Sequence, residues 1–346
     1  MKRQNIYANK IQAGMGIGIF TPSIPANVLY REKYLHGLKV ISDLGFQVLE
    51  GDLTKSCSTE GYRTGGPKER ADELMSLIRN PKVNALVAAI GGSNSSSLIP
   101  YLDFDEIRAS QKVICGYSDM TSLHIAILHY SGLRTFYGPT VMPTFGEWPT
   151  ILPESKDAFF SAATDAITRN RKLSPPTQWS NHFRDANSDD WKTTPRKLLP
   201  NSGWEVLASG ATEGRILIAN LSTLSANAGT PYFPDLNKKI LLIETMRGTA
   251  ASEERYLRQL ERMGAFDVIS GLIVGKIEDY KLSNEPFSHN ELILEVVGSK
   301  RTYPIVSGFD CSHTNPILTL VEDSLISLKA QSRFDVEFKV LEPTVK

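Results

Sequence analysis

The chain is poor in cysteine, has no excess of either charge and contains no long apolar run. Its three cysteines in 346 residues, Cys57, Cys115 and Cys311, are an odd number without metal-ligand spacing, which argues against a disulfide framework or a thiolate metal site. They suit a reducing compartment, with Cys115 and Cys311 as packing residues. Basic and acidic residues number 38 each, so no net field draws nucleic acid or an anionic membrane. Met1-Lys2-Arg3-Gln4-Asn5 is followed by no stretch suited to a secretory signal or a membrane span. The expectation is a cytoplasmic protein without nucleic-acid or membrane partners. No metal is expected either: His124 and His129 stand five apart on one predicted helix, a poor spacing for a shared ion, and His36, His182 and His289 have no visible partners.

What is present is an alternation of apolar strands and helical patterns. Strands are expected at 16–20, 46–50, 84–90, 113–116 and 135–137, with helices over 26–44, 67–79 and from 119 onward. This is the signature of a doubly wound, mostly parallel sheet covered on both faces. A chain of this length exceeds one ordinary core, and a second α/β domain follows from about 204, with strands at 205–207, 214–220, 240–244 and 271–274. Between them, about 171–203 is polar, rich in turn formers and punctuated by Trp179 and Trp191. It reads as linker plus lid. The expected division is 1–170, 171–203 and 204–346.

The chemistry concentrates at Lys112-Val113-Ile114-Cys115-Gly116-Tyr117-Ser118-Asp119, where an apolar strand runs through glycine and serine into a helix. A serine on such a turn stands clear of the sheet edge with helix amides behind it. Alone, the pattern fits a nucleophile or a capping serine, and it lacks the Gly-x-Ser-x-Gly form. A serine nucleophile requires a base and an orienting carboxylate. Glu244 ends the apolar run Ile240-Leu241-Leu242-Ile243, and His313 lies in Gly308-Phe309-Asp310-Cys311-Ser312-His313-Thr314-Asn315-Pro316. Both suit the rim of a sheet. Asn84 to Ile90 leads into Gly91-Gly92, where the main chain can approach a substrate closely.

On these residues the chain resembles the LD-carboxypeptidase family of serine peptidases (S66), especially its microcin C self-immunity branch. The resemblance runs from Gly16-Ile17-Gly18-Ile19-Phe20-Thr21-Pro22-Ser23 through Gly91-Gly92-Ser93-Asn94-Ser95, Leu102-Asp103-Phe104 and the elbow to Gly308–Pro316. It implies a flavodoxin- or amidotransferase-like first domain and a smaller C-terminal domain of swivelling β/α type. It implies a triad of Ser118, Glu244 and His313, and an oxyanion hole from the backbone amides of Asp119 and of Gly91 or Gly92. Substrate contacts are implied at Asn94, Asn220 and Arg247, and base stacking at Trp191 or, second, Trp179. No cofactor is implied, and family members are commonly homodimers. The expected activity is amide hydrolysis through an acyl-enzyme, on a microcin C-type aminoacyl or peptidyl nucleotide. The alternatives are release of terminal D-alanine from a murein peptide and, in another class, a non-catalytic binder of aminoacyl nucleotides. Ala219, Ser96 and Val321 depart from the family pattern and bear on pocket contacts, not on catalytic groups.

Overall fold

The computed structural model describes residues 3–57, 59–246, 248–278, 285–298 and 301–346. The strands β1 (Gly16–Phe20), β2 (Gln47–Glu50), β3 (Val83–Ala88), β4 (Val113–Gly116) and β5 (Phe136–Tyr137) come first. Next are β6 (Arg171–Leu173) and the paired β7 (Gln178–Trp179) and β8 (Leu199–Pro200). They are followed by β9 (Glu205–Ala208), β10 (Gly210–Asn220), β11 (Ile240–Glu244), β12 (Gly271–Gly275) and β13 (Ile305–Phe309). Last come β14 (Leu320–Val321), β15 (Leu325–Ser332) and β16 (Asp335–Val340).

The first sheet has the order β14-β5-β4-β3-β1-β2. All of its pairs are parallel except β14 against β5. Its inner strands are buried along nearly their whole length, as parallel strands covered by helices on both faces must be. The expected helix over 26–44 is two helices, Ala26–Leu29 and Arg31–Asp43, because Tyr30 leaves helical geometry at φ −135° and ψ 43°. From β1 the chain moves outward to β2 and returns on the other side to β3. That reversal opens a crevice at the C-terminal strand ends, where the turns after β3 and β4 emerge.

The second sheet, in the order β6-β16-β15-β10-β11-β12-β13-β9, holds eight strands against six in the first. The four from β10 to β13 are parallel. The long β10 pairs antiparallel with β15 over its first half and parallel with β11 over its second. Its polar end therefore extends a ribbon while its apolar end lies in the core.

The two halves interlock. Strand β14 crosses into the first sheet, and Lys346 at the chain end accepts the Lys10 amide. Tyr117, Tyr137 and Ala158 share a core with Trp204 and Phe309. Asp323 is buried beside Arg134 and Arg215, at 3.9 and 3.5 Å, and also pairs with Lys239. Glu342 engages the same two arginines at 2.6 and 3.0 Å. Removing one member of a buried ion cluster leaves the others uncompensated. Asp323→Ala should therefore lower the unfolding free energy by about 3 kcal/mol in urea titrations, whereas a loss under about 1 kcal/mol would show that Glu342 suffices.

Candidate active site

Ser118 sits at the C-terminal edge of the first sheet with φ +66°, in the left-handed region that L-residues enter at a cost of roughly 1–2 kcal/mol. Its amide donates to the Tyr137 hydroxyl at 3.0 Å. The chain then turns through Ser118–Met120 into the helix Thr121–Ser131. The Asp119 carboxylate accepts the amides of Asn94 and Ser95, each at 2.9 Å, and its carbonyl accepts the Ser95 hydroxyl at 2.6 Å. Burial pushes the Asp119 carboxyl up, and those backbone donors oppose the shift. The serine turn is thereby laced to the turn after β3.

That neighbouring turn needs its glycines. A Cβ on Gly91 would lie 3.0 Å from Ser118 Cβ, 3.2 Å from Ser118 Oγ and 3.4 Å from the Asp119 amide nitrogen. Gly91 and the Asp119 amide thus border one small space beside the serine hydroxyl. Gly92 has φ +152°, and a Cβ there would collide with the Ser23 hydroxyl.

Glu244 ends β11 with its carboxylate fully buried. One oxygen, Oε2, accepts from Nδ1 of His313 at 2.6 Å. The other accepts from the Tyr137 hydroxyl at 2.6 Å and from the Asn220 side-chain amide at 3.1 Å. The Nδ1–H is committed to the carboxylate, which leaves Nε2 as the imidazole's acceptor. The Tyr117 ring packs edge-on against the imidazole at 4.8 Å between centroids. Burial alone would lower the basicity of His313, but the charge and hydrogen bond of Glu244, with a further contribution from Glu278, outweigh it and raise its pKa.

Ser118 and His313 both line a cleft of about 370 Å³, together with Gly91, Gly92, Met246 and the lid residues Phe183 to Ala186. The volume suits a small-molecule site. Ser180 and Asn315 exchange backbone hydrogen bonds at 2.7 and 3.0 Å, so the base of the lid is tied two residues beyond His313.

The structure places the residues expected to contact substrate as follows. Asn94 turns its side chain away from the cleft to accept Arg70 at 2.6 Å and Ser23 at 3.2 Å, which makes it a support for the glycine turn. Asn220 caps the helix Leu221–Ala226 and steadies Glu244. Trp191 is buried against His36 and is not among the residues that line the cleft. Trp179 lies under the Lys276 ammonium at 5.0 Å and borders a separate cavity. Arg247 lies outside the described residues. Sequence reasoning passed over Tyr137, whose signal is a polar-tipped residue at the C-terminal end of a short buried strand.

A model of the LD-carboxypeptidase N-terminal domain matches residues 17–138, and one of the C-terminal domain matches 213–328. The chain belongs to the LD-carboxypeptidase family, peptidase S66. It is 37% identical to the microcin C7 self-immunity protein MccF of Escherichia coli, over 91% of this chain and 90% of that one. A probable murein peptide carboxypeptidase of Bacillus subtilis is 27% identical over 91% and 89%. Among solved structures, wild-type MccF in its apo state superposes with a TM-score of 0.92 at 34% identity, covering 99% of this chain and all of that one. MccF has also been solved in complex with aspartyl sulfamoyl adenosine, with a TM-score of 0.91 to this chain at 34% identity and coverage of 99% and 100%. Membership of this peptidase family makes the chain a hydrolase of the serine carboxypeptidase type.

Tyr137 joins the amide of Ser118 to the carboxylate of Glu244, and a hydrogen bond to an ionised group contributes about 1.5–3 kcal/mol. Tyr137→Phe should lower kcat roughly 10- to 100-fold with little change in KM. With His313 as the base, the acid limb of kcat/KM in the wild type should lie above the free imidazole value of about 6.5, since an accepting imidazole is neutral and the pKa of His313 is raised. In Tyr137→Phe the limb should move higher still, since the carboxylate loses a donor that disperses its charge. An unmoved limb with wild-type kcat would show that Tyr137 is mere packing.

Proposed function

We propose that this chain is a serine amide hydrolase with Ser118, Glu244 and His313 as its triad, acting on a microcin C-type aminoacyl or peptidyl nucleotide. The observation that carries the reading is the buried 2.6 Å bond between Glu244 and His313 in the cleft that a strained serine also lines. In this mechanism His313 takes the Ser118 proton as the hydroxyl attacks the scissile carbonyl. Glu244 holds the imidazole in the productive tautomer and stabilises the imidazolium. The oxyanion is received by the amides of Asp119 and of Gly91 or Gly92, where preorganised donors are worth about 10²–10³ in rate each. His313 then protonates the leaving amine and activates the water that resolves the acyl-enzyme. Every group the reaction needs is supplied by the chain itself, so no cofactor is invoked.

The substrate assignment rests on the closer similarity to MccF than to the murein carboxypeptidase over the same share of chain, and on the lid that roofs the cleft with Phe183, Arg184, Asp185 and Ala186. This reading makes the protein a detoxifying, self-immunity type enzyme of the cytoplasm, and a homodimer by family likeness. Arg247 stays in it as a contact for a terminal carboxylate or phosphate-like group.

The test is mass-spectrometric product analysis of wild type and Ser118→Ala, each given an aminoacyl sulfamoyl adenosine and a murein tetrapeptide in separate reactions. The expected result is serine-dependent release of the amino acid from the nucleoside, with Ser118→Ala slower by roughly 10⁴-fold or more. Serine-dependent loss of D-alanine alone would make it an L,D-carboxypeptidase. Tight binding of the nucleoside without turnover would favour the sequestering protein.

A further inference from the structure

Three cations, Lys33, Arg184 and Arg196, line the cleft beside Asp185 and Glu278, and among the described residues Lys33 has no ion-pair partner. Arg184 and Arg196, both from the lid, converge on the buried carboxylate of Glu147. Arg184 bonds Oε1 at 3.0 Å, and Arg196 bonds Oε2 through Nε at 3.0 Å and Nη2 at 2.7 Å. Arg184 also donates to the carbonyls of Asp190 and Thr194, and Arg196 to that of His182. Both oxygens of Glu147 are therefore met, and each guanidinium is anchored to it.

Lys33, in the first turn of the helix Arg31–Asp43, lines the same cleft and is only 3% exposed. Among the described residues no carboxylate lies within 4.0 Å of its ammonium and none accepts a hydrogen bond from it. The ammonium stands 5.7 Å from the centroid of the Trp191 ring. A buried ammonium without a counter-ion is destabilising. Burial lowers its pKa to about 8; Glu147 opposes the shift, Arg196 and Arg184 reinforce it, and Glu278 opposes it weakly. Asp185 and Glu278 also border the cleft, yet neither reaches Lys33. A group with these surroundings is completed by an anion brought from outside.

We propose that Lys33 is the anion-recognition residue of the substrate site, receiving the phosphoryl or sulfamoyl oxygens that join the acyl group to the nucleoside. The location favours this occupant. The acyl carbonyl must lie at Ser118 and the Gly91 turn, while Lys33 stands with the lid residues Arg184 and Trp191, on the side left for the departing half. Beside it Glu147 fastens the two arginines in place, and the trio keeps one net positive charge. The inference deepens the proposed function and depends on its nucleotide substrate.

Calorimetric titration of the full-length protein with AMP and with adenosine tests it directly, comparing wild type, Lys33→Met and Lys33→Arg. Wild type should bind AMP roughly 10- to 100-fold tighter than adenosine, the scale of a hydrogen bond to a charged group. Lys33→Met should reduce that ratio to about one while leaving adenosine affinity in place, and Lys33→Arg should retain most of it. Thermal unfolding checks the fold of each variant, and Lys33→Gln replaces Lys33→Met if the latter fails to fold. An undiminished ratio in the uncharged variant, or no preference for AMP in the wild type, would overturn the proposal. Loss of the ratio in an enzyme that cleaves only murein peptide would sink the aminoacyl-nucleotide reading and leave the anion site standing, so the two failures are distinguishable.

Discussion

The arrangement depends on one buried carboxylate. Glu244 accepts hydrogen bonds from His313, Tyr137 and Asn220, which come from three separate parts of the chain. A desolvated carboxylate is tolerated only when its lone pairs are met, so its burial and the convergence of these donors are one constraint. The fold supplies it by ending β11 in the crevice where the first sheet's Tyr137 and the His313 segment also arrive. Because Tyr137 accepts the Ser118 amide as well, the same carboxylate fixes the turn that holds the strained serine.

The rest of the site follows from keeping that centre rigid. Asp119 ties the elbow to the glycine turn, Asn94 holds that turn against Arg70 and Ser23, and Ser180 ties the lid base to Asn315. Asn94 and Asn220 hold in place groups that border the cleft. This is the pattern a preorganised site requires, since rate depends on donors and base that need no rearrangement when charge develops. The lid's own charge is organised the same way, with Glu147 fastening Arg184 and Arg196 while, among the described residues, no carboxylate pairs with Lys33.

Much of this was legible in the sequence because it is local. The apolar runs of β1, β3 and β4, the glycine-serine turn before a helix, and a glutamate closing an apolar run carry their meaning within ten residues. Other features depend on encounters across the chain. Tyr137 meets Glu244 across 107 positions, and its place at the end of a short buried strand does not say which distant group its hydroxyl meets. Trp191 in a polar loop reads as an exposed indole, yet packing against His36 buries it. Tyr30 breaks a helix whose apolar pattern runs on, and β14 crosses to the other sheet because an antiparallel partner for β5 was open there.

The central claim is that Ser118 is made nucleophilic by His313 held on Glu244. Treating the wild-type protein with a fluorophosphonate and locating the adduct by peptide mass spectrometry tests it most directly. The account predicts a single adduct, on Ser118, that forms at least 10²-fold more slowly in His313→Ala, as loss of a general base requires. No adduct in the wild type, modification of a different residue, or labelling of Ser118 at an unchanged rate without His313 would contradict it.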